Sequence, residues 1–221
     1  MRKGQKIFTI ALWGLTVVAM MSVIGAGLLR RQHQRTAQAG MELPIETPDQ
    51  ANGLEAYRPA PAFSLVDQNN ATATNDTLRG KIWIADFIFT RCGGPCPLMT
   101  QRMAKLQKQI TGPDVQFVSF TLDPAHDTPA VLKEYAAKFD GDESRWHLLT
   151  GAAEPATFKL ANNMLLAAQP ARGEEPILHS TKFILIDRQG QIRRFYDSNN
   201  PDELNQLAGD VERLKGEQAA P

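Results

Sequence analysis

Apolar and polar positions along residues 59–215 alternate between two periods. Ile82 to Phe89 is apolar on nearly every position, as a strand buried on both faces requires. Met99, Met103, Leu106 and Ile110 step by 4, 3 and 4, a single helical stripe, and predict a helix over Pro97–Ile110. Val115–Leu122 reads as a second strand, and Trp146–Leu149 as a short third. Thr128-Pro129 places a capping hydroxyl before a first-turn proline and opens a helix through Val131, Leu132, Tyr135 and Phe139. Pro155–Ala167 predicts another helix. Lys182–Ile186 and Gln191–Tyr196 are strands joined by the hairpin signal Asp187-Arg188-Gln189-Gly190, and Pro201–Leu214 is the last helix. Ala62–Asp67 alternates as a short leading strand, followed by a polar turn at Gln68-Asn69-Asn70. Strand–helix–strand units followed by a hairpin and a helix predict an α/β fold with a central mixed sheet flanked by helices.

Ahead of this body, Ile7 to Leu29 holds 23 residues without a charge. At ~1.5 Å per residue, such a helix crosses a hydrocarbon core of ~30 Å. We read residues 1–6 as a short tail, 7–29 as a transmembrane anchor and 30–58 as a flexible tether. The domain follows at 59–215, with a tail at 216–221. A cleaved signal peptide is the rival, with Ala37-Gln38-Ala39 as its cleavage site. The apolar stretch exceeds an ordinary signal core, and Arg30, Arg31 and Arg35 intervene before that site. Either reading puts the body on the extracytoplasmic, periplasmic side, where thiols can be oxidised.

Composition is that of a globular chain: 43% hydrophobic and 22% charged over 221 residues. Net charge is zero, but residues 1–35 hold six Lys/Arg and no acid, leaving 18 basic against 24 acidic residues beyond them. An acidic body argues against nucleic acid as a partner.

The two cysteines, Cys92 and Cys96, are four residues apart where the central strand ends, in Phe89-Thr90-Arg91-Cys92-Gly93-Gly94-Pro95-Cys96-Pro97. Reactive groups of open α/β sheets gather at the carboxyl ends of strands. Pro97 suits the first turn of a helix, which sets Cys96 near that helix's N-terminus, where the dipole favours a thiolate. A passive disulfide here closes too short a loop to add much stability. Inert cysteines would sit more naturally within an apolar stripe than in a Gly/Pro-rich turn.

Phe-x-x-Thr-x-Cys-x-x-x-Cys-Pro resembles the Sco/SenC family of membrane-anchored, thioredoxin-like copper proteins. Asp123-Pro124-Ala125-His126-Asp127-Thr128-Pro129 is similar to that family's D-P-x-x-D-T-P segment. Trp146-His147-Leu148-Leu149-Thr150-Gly151 resembles its W-x-x-L-T-G, and His179-Ser180-Thr181, before a strand ending in Asp187, resembles its distal histidine. The resemblance covers roughly residues 59–210. It implies a thioredoxin-like fold and one copper ion, Cu(I) or Cu(II), held by Cys92, Cys96 and His179. It further implies a metallochaperone role in building the dinuclear copper centre of cytochrome oxidase, with an oxidase subunit or another cuproprotein as copper acceptor. The alternative is a membrane-tethered thiol–disulfide oxidoreductase, with Cys92 and Cys96 as its redox dithiol and a thiol reductant as partner. Two thiolates suit Cu(I), an imidazole adds affinity for Cu(II), and three ligands leave the ion accessible. A closed structural zinc site takes four. Peroxiredoxin-like enzymes resemble P-x-x-x-T-x-x-C, whereas Thr90 stands two residues before Cys92. This sequence departs from the family in Gly93-Gly94-Pro95, in Leu178 where many members carry an acid, and in the composition of Met164–Pro176.

Other candidates read as structural. Met99 and Met103 are core residues by spacing. His126 is expected at the surface, His147 in packing or at the surface, and His33 beside the anchor. Asp123 and Asp127 either cap the turn and the helix that follows or shape the loop around the metal site. Asp86, in a buried strand, requires a partner.

Overall fold

The computed structural model describes residues 54–151, 153–171 and 176–217, together with Met20. Apart from Met20, the anchor expected over 7–29 lies outside the described residues. So do tail 1–6, most of tether 30–58 with His33 and Ala37–Ala39, and residues 218–221. No helix among the described residues is long and apolar enough to cross a membrane.

Ten strands and four helices follow one another in the described part. They are β1 (Arg58–Pro59), β2 (Ser64–Val66), β3 (Thr72–Thr74), β4 (Ile82–Ile88), α1 (Cys96–Gln109), β5 (Val115–Thr121), α2 (Pro129–Ala137), β6 (Trp146–Leu149), α3 (Glu154–Asn163), β7 (Ala168–Gln169), β8 (Leu178–His179), β9 (Lys182–Ile186), β10 (Gln191–Asp197) and α4 (Pro201–Gly216). Six of the strands form one mixed sheet in the order β1-β10-β9-β4-β5-β6. β4, β5 and β6 run parallel, in register from Ile82↔Val115 to Ile88↔Thr121 and from Phe117↔Trp146 to Phe120↔Leu149. β9 joins β4 antiparallel, and β10 follows β9 as the expected hairpin.

Strand alternation divides the core into two layers. Ile82, Ile84 and Ile88 of β4 face α1, α2 and α4, meeting Met99, Met103, Leu132, Leu207 and Val211. Trp83, Ala85 and Phe87 face the other way, onto the β2–β3 hairpin and Phe158 of α3. Every residue of β4 and β5 is buried. A strand covered on both faces does not alternate, which is why β4 reads as a nearly continuous apolar run.

Three departures from the sequence pattern have local causes. α3 ends at Asn163, short of Ala167, because Leu165 adopts φ 61°, a left-handed conformation no helix continues through. The chain then forms β7, which pairs with β8 as a separate ribbon. β1 recruits Arg58, which the pattern assigns to the tether, onto β10 at the sheet edge, and Tyr57 adds a bond from its N–H to the Ile192 carbonyl at 2.9 Å. Pro59 is tolerated there because an edge strand leaves one side of its ladder unused.

Candidate metal centre

β4 delivers the chain to the carboxyl end of the sheet, where residues 89–95 form an irregular turn. The Cys92 N–H closes it on the Phe89 carbonyl at 3.2 Å. Pro95 is the cap residue of α1, and the Met99 N–H bonds its carbonyl at 3.0 Å. Cys96 is thus the first residue of the helix, one position earlier than the pattern predicts. It is fully buried, whereas Cys92 remains half-buried. The two thiols are free of any disulfide.

His179 arrives from β8. Ser180 N–H bonds the Ala167 carbonyl at 2.8 Å, so the β7–β8 ribbon fixes the backbone on both sides of the ring. His179 Nδ1 lies 2.9 Å from the Ser180 carbonyl, and Nε2 lies 3.1 Å from Cys96 Sγ. A carbonyl only accepts, so Nδ1 carries the proton that it donates there. That bond orients the ring so that its Nε2 edge faces the sulfurs. Phe89 stands edge-on to the imidazole at 5.7 Å between centroids and limits its rotation. Ligand atoms of Cys92, Cys96 and His179 all lie within 4.8 Å of one another. The three residues singled out as metal ligands therefore occupy one cluster, although 83 positions separate Cys96 from His179.

The two thiols are electrostatically unequal. The Cys96 thiol bonds to Cys92 and draws its pKa down to about 4, against burial, with help from His179 and the backbone N–H groups of Cys96 and Gly94. Cys96 moves the opposite way: as donor to Cys92, and through burial, it holds its own proton well above the usual thiol range. The first negative charge of the pair therefore resides on the more exposed sulfur.

Two carboxylates flank the cluster. Asp86, on the strand beneath, is fully buried, and neither of its oxygens has a hydrogen-bond partner. Burial pushes its pKa up to about 7, only partly offset by Ser119, its register neighbour on β5, and by the His179 imidazole. The partner that the sequence demands for Asp86 is absent from among the described side chains.

Asp127 is equally buried but crowded with donors. It accepts from Thr90 N–H at 3.1 Å, Thr90 Oγ1 at 2.5 Å, Thr121 Oγ1 at 2.5 Å and His126 Nδ1 at 2.9 Å. Asp123 accepts two bonds from the Arg91 guanidinium, and its backbone carbonyl takes the N–H groups of His126 and Asp127. Capping of α2 falls to Thr128, whose hydroxyl receives the Val131 N–H, so of the two roles open to the aspartates the loop-shaping one is observed for Asp127. Asp123, His126 and Asp127 also approach within 4.8 Å of one another. Both Asp127 oxygens, one oxygen of Asp123 and His126 Nδ1 are engaged in hydrogen bonds, and the cluster is a hydrogen-bonded scaffold.

His126, expected at the surface, is half-buried and committed to this scaffold. His147 is half-buried at a strand, with Nε2 3.1 Å from Gln116 Oε1. Met99 and Met103 are core residues, fully buried. Thr90 is the participant to which the sequence pattern assigns no role. The available signal was its place in Phe-x-x-Thr-x-Cys, beside the aspartates of the later segment.

The SCO1/SenC family profile matches residues 52–215. A solved SCO1/SenC family lipoprotein from Bacillus anthracis is 36% identical, with a TM-score of 0.67 over 72% of this chain and 95% of that one. BsSco, described as a member of the Sco family of cytochrome c oxidase assembly proteins and the subject of a disulfide switch, is 28% identical with a TM-score of 0.67, over 76% of this chain and 100% of its own. Yeast Sco1 with copper bound is 25% identical with a TM-score of 0.59, over 74% of this chain and 92% of that one.

Proposed function

This chain belongs to the SCO1/SenC family, and we propose that it binds one copper ion through Cys92, Cys96 and His179 and serves the assembly of the dinuclear copper centre of a respiratory oxidase. The observation that carries the reading is the convergence of two thiols and one imidazole nitrogen, Cys96 Sγ and His179 Nε2 being 3.1 Å apart. The donor set fits the ion: thiolates are soft ligands suited to Cu(I), and a neutral imidazole suits Cu(II). Copper supplies no turnover of its own here; it is cargo. The protein's residues hold it with an open position, so a client's thiolates and imidazoles can replace them one at a time.

Domain 59–215 works in this proposal from the membrane anchor at 7–29 through the tether 30–58, on the extracytoplasmic side. The lipoprotein character of the Bacillus anthracis relative supports a membrane-held body.

The test is anaerobic copper titration of the purified, reduced protein. We expect one equivalent bound, and His179→Ala to weaken binding while disulfide exchange stays nearly intact. Unchanged affinity in that variant would remove His179 from the ligand set.

A second reading, thiol–disulfide exchange, is favoured by the inequality of the two sulfurs. The Cys92 thiolate attacks a client disulfide, forming a mixed disulfide and releasing one client thiolate. Cys96 then gives up its proton and attacks Cys92 Sγ, releasing the second client thiolate. The client leaves reduced and the pair is left oxidised, so a thiol reductant must reset it. If wild-type protein reduces a client disulfide but takes up no copper, this reading replaces the first.

A further inference from the structure

We propose that Asp127 is a positioning residue: through Thr90 it fixes where the Cys92 sulfur stands relative to Cys96 and His179. The proposal rests on the metal-site reading above. Residues 89–95 have no ladder or helix of their own, and Gly93 and Gly94 bring no side chain to pack. A Cβ at Gly93 would meet nothing within 4 Å, so the far half of the turn has little to hold it. The near half is held from outside.

Two struts reach it from the β5–α2 loop. One is Arg91 with Asp123, but the arginine side chain is 61% exposed, and exposed ion pairs contribute little. The other is Asp127 with Thr90, where a fully buried carboxylate takes both the backbone N–H and the hydroxyl of one residue. Charge-assisted bonds out of reach of water are the strong ones. The same carboxylate accepts from Thr121 at the end of β5, the register neighbour of Ile88 at the end of β4. Asp127 is itself pinned, since Thr128 caps α2 immediately after it. The carboxylate thereby joins the cysteine turn to the ends of two strands and the start of a helix, two residues ahead of Cys92. Partners that orient a metal ligand without touching the metal are worth about 10–100-fold in affinity.

The experiment uses the full chain in detergent, reduced and titrated with Cu(II) alone, in wild type, Thr90→Val, Thr90→Ser and Tyr196→Phe. The last removes a buried hydroxyl-to-carboxylate bond to Asp210 elsewhere, a control for loss of such a bond that leaves the turn untouched. Three readouts are taken: affinity by competition with a chelator, the thiolate-to-copper absorption bands, and the potential of the Cys92/Cys96 couple. Thr90→Val is expected to lose about 10-fold or more in affinity, with displaced bands and a shifted potential. Thr90→Ser is expected to restore all three, and Tyr196→Phe to keep them. A folded Thr90→Val with wild-type affinity, bands and potential overturns the proposal. If that variant does not fold, Asp127→Asn is read on the same three measurements, and unchanged values again overturn it. If wild type itself takes up no copper, the metal reading fails, and the positioning role then stands or falls on the disulfide potential alone.

Discussion

Asp86 and Asp127 are buried to the same degree on either side of the cysteine turn, and the fold treats them in opposite ways. Asp127 collects four donor contacts. Asp86 collects none, and its pKa rises to about 7. Burial alone therefore does not decide what a carboxylate does here; the donors aimed at it do. The satisfied one is part of the scaffold. The unsatisfied one is a reservoir of destabilisation placed beneath a pair of sulfurs.

The largest effect that breaks the comparison is removal of the satisfied member. Asp127→Ala leaves the Thr121 hydroxyl and both Thr90 donors without an acceptor, and is expected to cost about 3–5 kcal/mol, read from the midpoint of urea unfolding. A loss under about 1 kcal/mol would show that water replaces the carboxylate freely.

Asp86→Asn tests the other member through pH. A carboxyl whose folded pKa is raised favours the native state below its unfolded value, and that advantage is lost as pH rises through about 7. With its pKa raised from 3.8 to about 7, wild type is expected to lose about 4 kcal/mol between pH 4 and 8 through this group. Asp86→Asn is expected to abolish that slope, so the variant gains on wild type as pH rises. Parallel stability curves for the two would show that Asp86 titrates normally.

The smallest effect concerns what little relief Asp86 has. Ser119→Ala removes the acceptor of the Trp146 indole N–H, at 3.1 Å, and is expected to cost about 1 kcal/mol. It should also move the Asp86 titration to still higher pH, seen by carboxyl infrared absorption. An unmoved titration would mean that Ser119 gives the carboxyl no help.

The contrast also explains what the sequence made legible. β4, β5, β9 and α1 were readable because each is a local apolar pattern. Cys92 and Cys96 were readable because two thiols in a Gly/Pro turn do little for packing. His179 was found only through family resemblance, since nothing in residues 164–180 fixes its partner 83 positions back. β1, β3, β7 and β8 are two or three residues long, below any detectable period. The Asp127–Thr90 contact joins positions 37 apart through two polar side chains that look like ordinary loop residues. Only the register of β4 on β5 brings them together.

The two sulfurs are mounted on unlike supports. Cys96 begins a 14-residue helix, whereas Cys92 is followed by Gly93, which borders open space. If the cluster carries a metal as proposed, an incoming donor would meet the half-buried Cys92 sulfur first, and the buried, helix-borne Cys96 sulfur would be the last to let go.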